Sequence, residues 1–419
     1  MENQIRIACA VPRVQVANVK KNTADICEMI AKAAGQNVDV VVFPELAITG
    51  YCCADLFFQE LLLDAAVEGL ARIAACSSEN PRITAVVGLP LKLDDGLYNC
   101  AAVLRGGAVL GIVPKTHIPH SGEFSEKRWF ASGAALKNRS VQASKLGLTG
   151  GDISVAPGQI FDLDGIKLGV EICEDLWVAK PPSTDHALCG ATVIANLSAS
   201  GEMVTADEYR RTAVVTASKR LAAGYVMSGA GEGESTQDLV FFGHKLIAEN
   251  GNLLGENFDF EQDILCQDVD VFRLMHERMR KNTFVNQDKN YIKVKFHVES
   301  EECQLDRKFS CMPFIPQKEE ERNIRLANIF KIQASGLKKR LAHTGCGHAI
   351  IGISGGLDST LALLVTAKAF DMLGIPRNQI RCVTMPCFGT TDRTYDNACK
   401  MTIALGAVLE EVDIKESVS

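Results

Sequence analysis

The chain has 419 residues, of which 47% are hydrophobic and 23% are charged, and its net charge at pH 7 is −7. This length has room for two or three domains with large buried cores, and the balanced composition excludes a mostly disordered or fibrous protein. Because 51 acidic residues outnumber 44 basic ones, no basic field attracts a polyanion, so we expect no binding to nucleic acid.

Three features of the sequence concern its compartment. The 15 cysteines are odd in number and scattered, which favours reduced thiols over a disulfide framework. The start, MENQIRIACAVPRV, has no basic region ahead of an apolar core and therefore no visible signal peptide. Charges interrupt the apolar runs well before the roughly 18 residues that a membrane span requires. We expect a soluble, cytoplasmic protein that does not enter a membrane.

The first part of the chain alternates short β-branched runs with helical stretches, which predicts an α/β domain with extensive sheet. IRIACAVP is the first predicted strand, a helix follows from about Asn22 to Gly35, and the apolar run VDVVVFPEL then ends in a carboxylate. Further strands are predicted at RITAVVGLP, AAVLRGGAVLGIVPK, IKLGVEICED and ATVIANLSAS. Polar or glycine-containing sequence follows each strand, where functional groups collect on a rigid sheet.

The end of this first domain is marked by a change in composition. Residues 292–298 alternate apolar and polar side chains, as a half-buried strand does. From residue 299 the sequence has dense charge and two prolines, which is typical of a linker. We place the first domain at residues 1–285, the linker at 286–322 and a second domain at 323–419.

The second domain begins with a predicted helix and continues with a strand, a glycine turn and another helix. The first helix has an apolar stripe formed by Leu326, Ile329, Phe330, Leu337 and Leu341. The strand AIIGI, the helix STLALLVTAKAF, the strand RCVTMPCF and one more helical segment follow. Two or three strand–helix units are too few for a doubly wound sheet of ordinary size. We therefore expect this domain to be incomplete.

Three residues suited to nucleophilic amide chemistry each follow a predicted strand of the first domain: Glu45, Lys115 and Cys173. A thiol that attacks an amide needs a base to take its proton and a cation or hydrogen-bond donor to stabilise the oxyanion. A carboxylate and an amine can fill those two roles. Each residue alone also has an ordinary explanation, as a surface charge or a core thiol.

The segments FPELAITGY, PKTHIP and EICEDLW resemble, in order and spacing, the three catalytic segments of the nitrilase superfamily of carbon–nitrogen hydrolases. The resemblance includes the later stretch GHKLIAENGNLLGE. It implies a four-layer αββα sandwich with Glu45 as general base, Lys115 as the oxyanion-side cation and Cys173 as nucleophile. Cys173 would then form a thioester and release ammonia.

The same resemblance implies further site residues. A fourth acid often follows the lysine in this superfamily, and GEFSEKRWF offers both Glu123 and Glu126, between which the sequence does not decide. The glutaminase branch of the superfamily has an amide pocket, and five residues here fall where that branch shapes it: Tyr51, Glu174, Trp177, Ser198 and Ser200.

A glycine turn lies between the strand AIIGI and the following helix of the second domain. It consists of Ser354, Gly355, Gly356, Leu357, Asp358 and Ser359. Glycines let successive backbone N–H groups approach one point, and the helix presents its positive N-terminus there, so we expect an anion at this turn. It is not a Walker A loop, because no lysine follows the glycines.

The turn resembles the SGGxDS signature of the ATP pyrophosphatase family, a Rossmann-like α/β fold of which the chain would hold a part. The resemblance implies that ATP binds at residues 354–359, where Ser354, Gly355, Gly356 and Ser359 hold phosphate oxygens. Asp358 would lie near a Mg²⁺ ion. In that family ATP is split to AMP and pyrophosphate while a substrate oxygen is adenylylated. A chance serine–glycine turn is the alternative.

Two longer stretches sharpen this resemblance: TMPCFGTTDRTYDNA and FIPQKEEERNIRLANIFKIQASGLKKRL are typical of NAD synthetases. An amidase domain followed by such a domain resembles the glutamine-dependent NAD synthetase family. That implies a ligase whose substrates are glutamine, ATP and deamido-NAD, with no prosthetic group, and we also expect a homo-oligomer. Members of the family continue beyond Ser419, so we expect a partial chain whose ligase half does not turn over alone.

Three alternatives remain at this stage. A stand-alone nitrilase-family amidase would leave the SGGLDS turn without a use. A non-catalytic nitrilase-fold assembly subunit would have no need for Glu45, Lys115 and Cys173 together. A GMP synthetase shares the phosphate loop but has a different glutaminase, which the FPEL and CEDLW segments disfavour.

Overall fold

The computed structural model describes residues 4–136, 138–163, 165–237, 239–258, 264–287, 290–296, 307, 311–312, 314–386 and 391–414. The chain divides into two compact units, Met1–Arg307 and Lys308–Ser419. No helix within these described ranges is long and apolar enough to cross a bilayer.

Two sheets form the centre of the first unit, with strands numbered along the chain. The first sheet has the order β14 (Ile264–Asp270), β1 (Gln4–Ala10), β2 (Val40–Val42), β3 (Thr84–Leu93), β4 (Gly96–Arg105), β5 (Ala108–Pro114), β7 (Asp152–Val155) and β6 (Arg139–Gln142). The second has the order β13 (Asn252–Asn257), β12 (Lys245–Glu249), β11 (Gly224–Gly229), β10 (Val193–Ser198), β9 (Ile166–Ile172), β8 (Gln159–Leu163) and β15 (Ile292–Phe296).

Helices cover the outer face of each sheet. They are α1 (Val19–Gly35) and α2 (Glu60–Ser78) on the first sheet, α3 (Pro182–Leu188) and α4 (Ala206–Leu221) on the second, and α5 (Val271–Arg280) after β14. One hydrophobic core lies between the two sheets, and two others lie between each sheet and its helices. The first unit is therefore an αββα sandwich, as predicted.

Strand β1 shows why the sequences of these strands are continuously apolar. Ile7 and Cys9 pack in the core between the sheets, whereas Ala8 and Ala10 pack in the core beneath the helices. Side chains alternate between the two faces of a strand, and here both faces are buried.

Part of the predicted linker, 286–322, is structured. β15 pairs in parallel with β8 at the edge of the second sheet, so the first unit extends past residue 285. Its alternating apolar side chains are the reason, because Val294 and Phe296 pack against the core between the sheets. The first helix of the second unit, α6 (Glu319–Thr344), also begins inside the predicted linker.

The second unit has a parallel sheet in the order β16 (Ala349–Gly352), β17 (Ile380–Thr384) and β18 (Val408–Glu411). Helices α7 (Leu357–Leu373) and α8 (Asp392–Ala404) connect these strands. The fold is α/β, as predicted, although Leu326 and Ile329 of the predicted apolar stripe in α6 are exposed. Residues 387–390 of the TMPCFGTTDRTYDNA stretch lie outside the described residues.

Candidate active site

A buried ionic cluster lies at the carboxyl ends of strands in the first sheet. Lys115 directly follows β5, and its Nζ lies 2.6 Å from Glu45 Oε1 and 2.7 and 2.8 Å from the two carboxylate oxygens of Glu126. Glu45 lies in the turn after β2, and its Oε1 also accepts a hydrogen bond of 2.6 Å from Asn99 of β4. All four residues are buried, so these bonds form away from solvent.

The cluster changes the proton affinity of its members. Burial opposes the charged form of Lys115, but the carboxylates of Glu45 and Glu126 outweigh it and raise the pKa of the ammonium. Burial also raises the pKa of Glu45 to about 7, although Lys115 acts in the opposite direction. Glu45 Oε2 is buried and finds no hydrogen-bond donor among the described residues. That oxygen is free to accept a proton near neutral pH.

Cys173 follows β9 of the second sheet, where the chain turns sharply. Its φ of +44° is in the left-handed region, which is strained for a residue with a Cβ atom. The side chain is buried, with Ser198 Oγ at 3.5 Å and Ser200 Oγ at 3.6 Å from Sγ. Burial and the negative charge of Glu45 raise the pKa of the thiol to about 12. The resting group is therefore a thiol, and its attack on an amide needs a base.

Asp175 joins the turn that holds Cys173 to the loop that holds Lys115. Its carboxylate accepts backbone hydrogen bonds from Ile172 at 3.1 Å, Thr116 at 3.3 Å and His117 at 2.9 Å. It also bonds the His117 ring at 2.8 Å and thereby raises the pKa of that imidazole. One buried carboxylate thus fixes the second sheet's turn against the first sheet's loop.

A cavity of about 250 Å³ opens beside the thiol. Three of the predicted pocket residues line it together with Cys173, namely Glu174, Trp177 and Ser200. Most of its wall is apolar, and the other charged residues at the wall are Glu123 and Arg210. This volume can hold a small amide substrate with its carbonyl carbon near Sγ.

The other predicted site residues lie in different places relative to the cavity. Among the described residues, Tyr51 and Ser198 do not line the cavity. The Tyr51 hydroxyl donates to Glu126 Oε1 at 2.9 Å, and Ser198 donates to the thiol. Of the two acids that the sequence leaves open, Glu126 is buried against Lys115, whereas Glu123 is exposed at the cavity.

The glycine turn of the second unit lies between β16 and α7. Ser354 Oγ accepts a bond of 3.3 Å from the Gly356 N–H and lies 3.1 Å from Ser359 Oγ. Gly356 is the N-cap of α7, and a Cβ built there meets only Ser354 Oγ at 3.4 Å. Asp358 is exposed in the first turn of the same helix.

Gly355 has a different constraint. Its φ is +77°, and a Cβ built there would lie 1.9 Å from the carbonyl oxygen of Thr394 in α8. Glycine is therefore required at this position by helix packing, whatever binds at the turn. No group of three metal-binding side chains occurs within the residues that the structure describes.

Sequence reasoning missed Asn99 and Asp175. Asn99 lies in the middle of the segment GLYNCAAVLR, where nothing distinguishes it from other polar residues of a strand. Asp175 belongs to the CEDLW segment, but its role depends on backbone groups of a distant loop. Residue type carries no signal for such bonds.

Comparison with known proteins agrees with this fold. The family model described as carbon-nitrogen hydrolase matches residues 5–274, and the one described as NAD synthase matches residues 329–419. A curated relative from Mycobacterium tuberculosis, named glutamine-dependent NAD(+) synthetase, is 36% identical over 99% of this chain and 62% of its own length. A relative of the same name from Thermotoga maritima is 26% identical, over 96% of this chain and 64% of its own.

Two solved structures show the same fold. A glutamine-dependent NAD(+) synthetase from Cytophaga hutchinsonii has a TM-score of 0.57 and 20% identity, covering 99% of this chain and 66% of that one. A carbon-nitrogen hydrolase from Helicobacter pylori has a TM-score of 0.54 and 20% identity, covering 69% of this chain and 100% of that one. The chain spans about 62% of the length of the mycobacterial relative. It belongs to the carbon–nitrogen hydrolase family and has, after its hydrolase domain, a segment that matches NAD synthase.

Proposed function

We propose that the first unit hydrolyses the side-chain amide of glutamine and that the released ammonia serves an ATP-dependent synthesis of NAD from deamido-NAD. The observation that carries the glutaminase half is the cluster of Glu45, Lys115 and Glu126 at strand ends of the αββα sandwich that also holds the thiol of Cys173. The match to NAD synthase over residues 329–419 and the names of the relatives support the second half.

The first step is attack on the amide. Glu45 takes the thiol proton of Cys173 while the sulfur bonds to the amide carbon and the carbonyl electrons move to oxygen. The buried ammonium of Lys115 stabilises that oxyanion. As the oxyanion collapses, the C–N bond breaks, and Glu45 returns the proton to the nitrogen that leaves as ammonia.

The second step reverses these roles. Water gives a proton to Glu45 and attacks the thioester. As the C–S bond breaks, glutamate leaves and Glu45 returns the proton to the sulfur, which restores the thiol. Glu126 and Asn99 hold Lys115 and Glu45 in place throughout, because each bonds the cluster directly. This assigns the fourth acid to Glu126 rather than to Glu123.

The positions of the predicted pocket residues support different roles for them. Glu174, Trp177 and Ser200 line the cavity and would contact glutamine, whereas Ser198 would orient the thiol. Tyr51 has its hydroxyl on Glu126, which supports an orienting role more than direct contact with substrate.

In the second unit, the turn from Ser354 to Ser359 would hold the phosphates of ATP. The N-terminus of α7 begins at this turn, and a Cβ at Gly356 would meet no backbone atom, which leaves room for an anion to approach. Mg²⁺ is commonly bound by one carboxylate together with phosphate oxygens, and the exposed Asp358 fits that pattern. Bound there, the ion would neutralise phosphate charge. Adenylylation of the deamido-NAD carboxylate would release pyrophosphate, and ammonia would then displace AMP.

Two further expectations follow from this chemistry. A nucleophilic thiol must stay reduced, so we place the protein in the cytoplasm, where thiols are kept reduced. The homo-oligomer expected from the sequence stays a prediction, which light scattering on the purified protein would test.

The test of the glutaminase is ammonia release, measured with glutamine, asparagine and a simple aliphatic amide in parallel. We expect glutamine to be hydrolysed with the highest kcat/KM. A preference for the aliphatic amide would favour a stand-alone amidase, and no release from any amide would favour a non-catalytic subunit. NAD formation from deamido-NAD, ATP and glutamine, in protein that spans the length of its relatives, tests the ligase half.

A further inference from the structure

A buried carboxylate lies in the loop after β11, outside the ionic cluster. Glu234 Oε1 accepts the backbone N–H of Tyr51 at 2.7 Å, and its Oε2 accepts that of Cys52 at 3.0 Å. The residue is only 8% exposed. Its two oxygens therefore fix two successive backbone groups of a loop that lies more than 180 residues away in the sequence.

Glu234 itself stands on a closely packed backbone. The preceding residue, Gly233, has a φ of +103°, and a Cβ built there would lie 1.8 Å from the carbonyl oxygen of Val14. Only glycine permits this approach, so the loop after β11 lies directly against the segment after β1. The contact between Gly233 and Val14 thus fixes the backbone next to Glu234, and the Glu234 carboxylate in turn fixes the backbone of Tyr51.

Tyr51 carries this constraint into the cluster. Its hydroxyl donates to Glu126 Oε1 at 2.9 Å, the same oxygen that lies 2.7 Å from Lys115 Nζ. A continuous series of bonds therefore joins Glu234 through Tyr51 and Glu126 to the ammonium of Lys115. A shift of Tyr51 would release one side of Glu126 and alter the position of the lysine.

We propose that Glu234 is a positioning residue of the glutaminase site, which acts through the Tyr51 hydroxyl on Glu126 and Lys115. This inference rests on the proposed function. Among the described residues, Glu234 does not line the cavity beside Cys173, so it acts without touching substrate. Displacing a catalytic group by about 1 Å can lower the rate by about 100-fold, so a remote hydrogen-bond pair can matter to turnover.

Two substitutions separate hydrogen bonding from packing. Glu234→Gln keeps the size of the side chain but turns an NH₂ group toward one of the two backbone N–H donors. Glu234→Asp is shorter but keeps both carboxylate acceptors. We expect kcat for glutamine to fall in the order unmodified protein, Glu234→Asp, Glu234→Gln, with KM changing less. A packing role predicts the reverse order of the two variants, because Gln fills the same space.

A double-mutant cycle with Tyr51→Phe tests the route through the hydroxyl. We expect Glu234→Gln and Tyr51→Phe each to lower kcat by about tenfold. The double variant should also lose only about tenfold, and not about a hundredfold, because the two substitutions interrupt the same series of bonds. If Glu234→Gln does not accumulate as folded protein by circular dichroism, Glu234→Asp takes its place in the cycle.

Glu249 provides the matched control. It is also a buried acid of the first unit, and it accepts the backbone N–H of Asp270 at 2.7 Å and bonds Arg307 instead of the Tyr51 loop. The effects of Glu249→Gln and Tyr51→Phe on kcat should multiply. The inference would be overturned if the effects of Glu234→Gln and Tyr51→Phe multiplied, or if Glu234→Gln were more active than Glu234→Asp. Either result would leave the proposed glutaminase function standing. Failure of the unmodified protein to release ammonia would overturn the proposed function and this inference together.

Discussion

At the scale of single residues, the proton of Cys173 determines how the proposed reaction would start. Burial and the charge of Glu45 raise the pKa of the thiol to about 12, so the sulfur is protonated at neutral pH. Glu45 has a pKa raised by burial to about 7 and an unpartnered oxygen, which makes it a suitable acceptor. Nucleophile and base are therefore expected to act as one unit, with proton transfer accompanying attack.

Removal of the thiol should abolish the activity. We expect Cys173→Ala to reduce ammonia release from glutamine to background, because no acyl intermediate can form without the sulfur. Cys53→Ala is the control, since Cys53 is also buried but its Sγ bonds the backbone carbonyl of Thr49. That variant should keep most of its rate. Comparable activity in Cys173→Ala would refute the assignment of the nucleophile.

The pH dependence should report the base. Glu45 accepts a proton only when it is ionised, and its raised pKa moves that ionisation from the ordinary value of 4.5 toward about 7. We therefore expect kcat/KM for glutamine to rise with pH below about 7 and then level off. Glu45→Gln should lose this rise together with orders of magnitude in rate. Retention of the rise in Glu45→Gln would show that another group is the base.

The sequence predicts which residues would react, but it does not predict which residues hold them in place. Glu45, Lys115 and Cys173 lie in recognisable segments at predicted strand ends, and the structure places Glu45 and Lys115 in direct contact. Asn99, Asp175 and the choice of Glu126 depend on hydrogen bonds between distant loops, which no periodicity encodes. Glu234 is hidden for the same reason, because its partners are backbone groups.

At the scale of elements, most strands and helices could be predicted from apolar periodicity. The run VDVVVFPEL is an instructive exception, since only Val40–Val42 is strand. The chain leaves the sheet after these residues and forms the turn that carries Glu45, so the apolar run is longer than the strand. β15 was visible as an alternating strand, but its pairing with β8 placed it in the first unit rather than in a linker.

The glycine turn before α7 gives a prediction at this scale. Gly356→Val adds a side chain whose Cβ meets only Ser354 Oγ, at 3.4 Å, so it should leave folding intact while obstructing phosphate approach to the helix N-terminus. We expect ATP binding, measured by calorimetry, to weaken by at least about tenfold, as loss of several backbone contacts to phosphate implies. Gly347→Val is the control, because a Cβ there meets no atom within 4 Å and the residue precedes β16, at the opposite end of the strand. Equal affinities in the two variants would contradict a phosphate site.

At the scale of the whole molecule, the chain consists of two units with separate cores. The groups that we propose to react all lie in the first unit, and they come from both of its sheets. Glu45 and Lys115 follow strands of the first sheet, and Cys173 follows a strand of the second. The site can therefore form only when the two sheets are packed together.

Because the two units have separate cores, a substitution that destabilises the second unit should leave the activity of the first unchanged. Gly355→Val would place a side chain against the Thr394 carbonyl oxygen, which should displace α8 and destabilise the second unit. We expect faster proteolysis within residues 308–419, while ammonia release from glutamine persists. Gly356→Val should cause no faster proteolysis and should also keep ammonia release, since its Cβ meets no backbone atom. Loss of glutamine hydrolysis in Gly355→Val alone would show that the first unit depends on the second.

The left-handed backbone at Cys173 sets activity against stability at one position. A residue with a Cβ atom pays roughly 1–2 kcal/mol in this conformation, and glycine avoids that strain. Cys173→Gly should therefore melt at a higher temperature than Cys173→Ala, although both are inactive and neither keeps the sulfur. A lower melting temperature for the glycine variant would show that the turn is not strained. A higher melting temperature for the glycine variant would mean that the cysteine lowers the stability of the fold at the position where the proposed reaction needs a thiol.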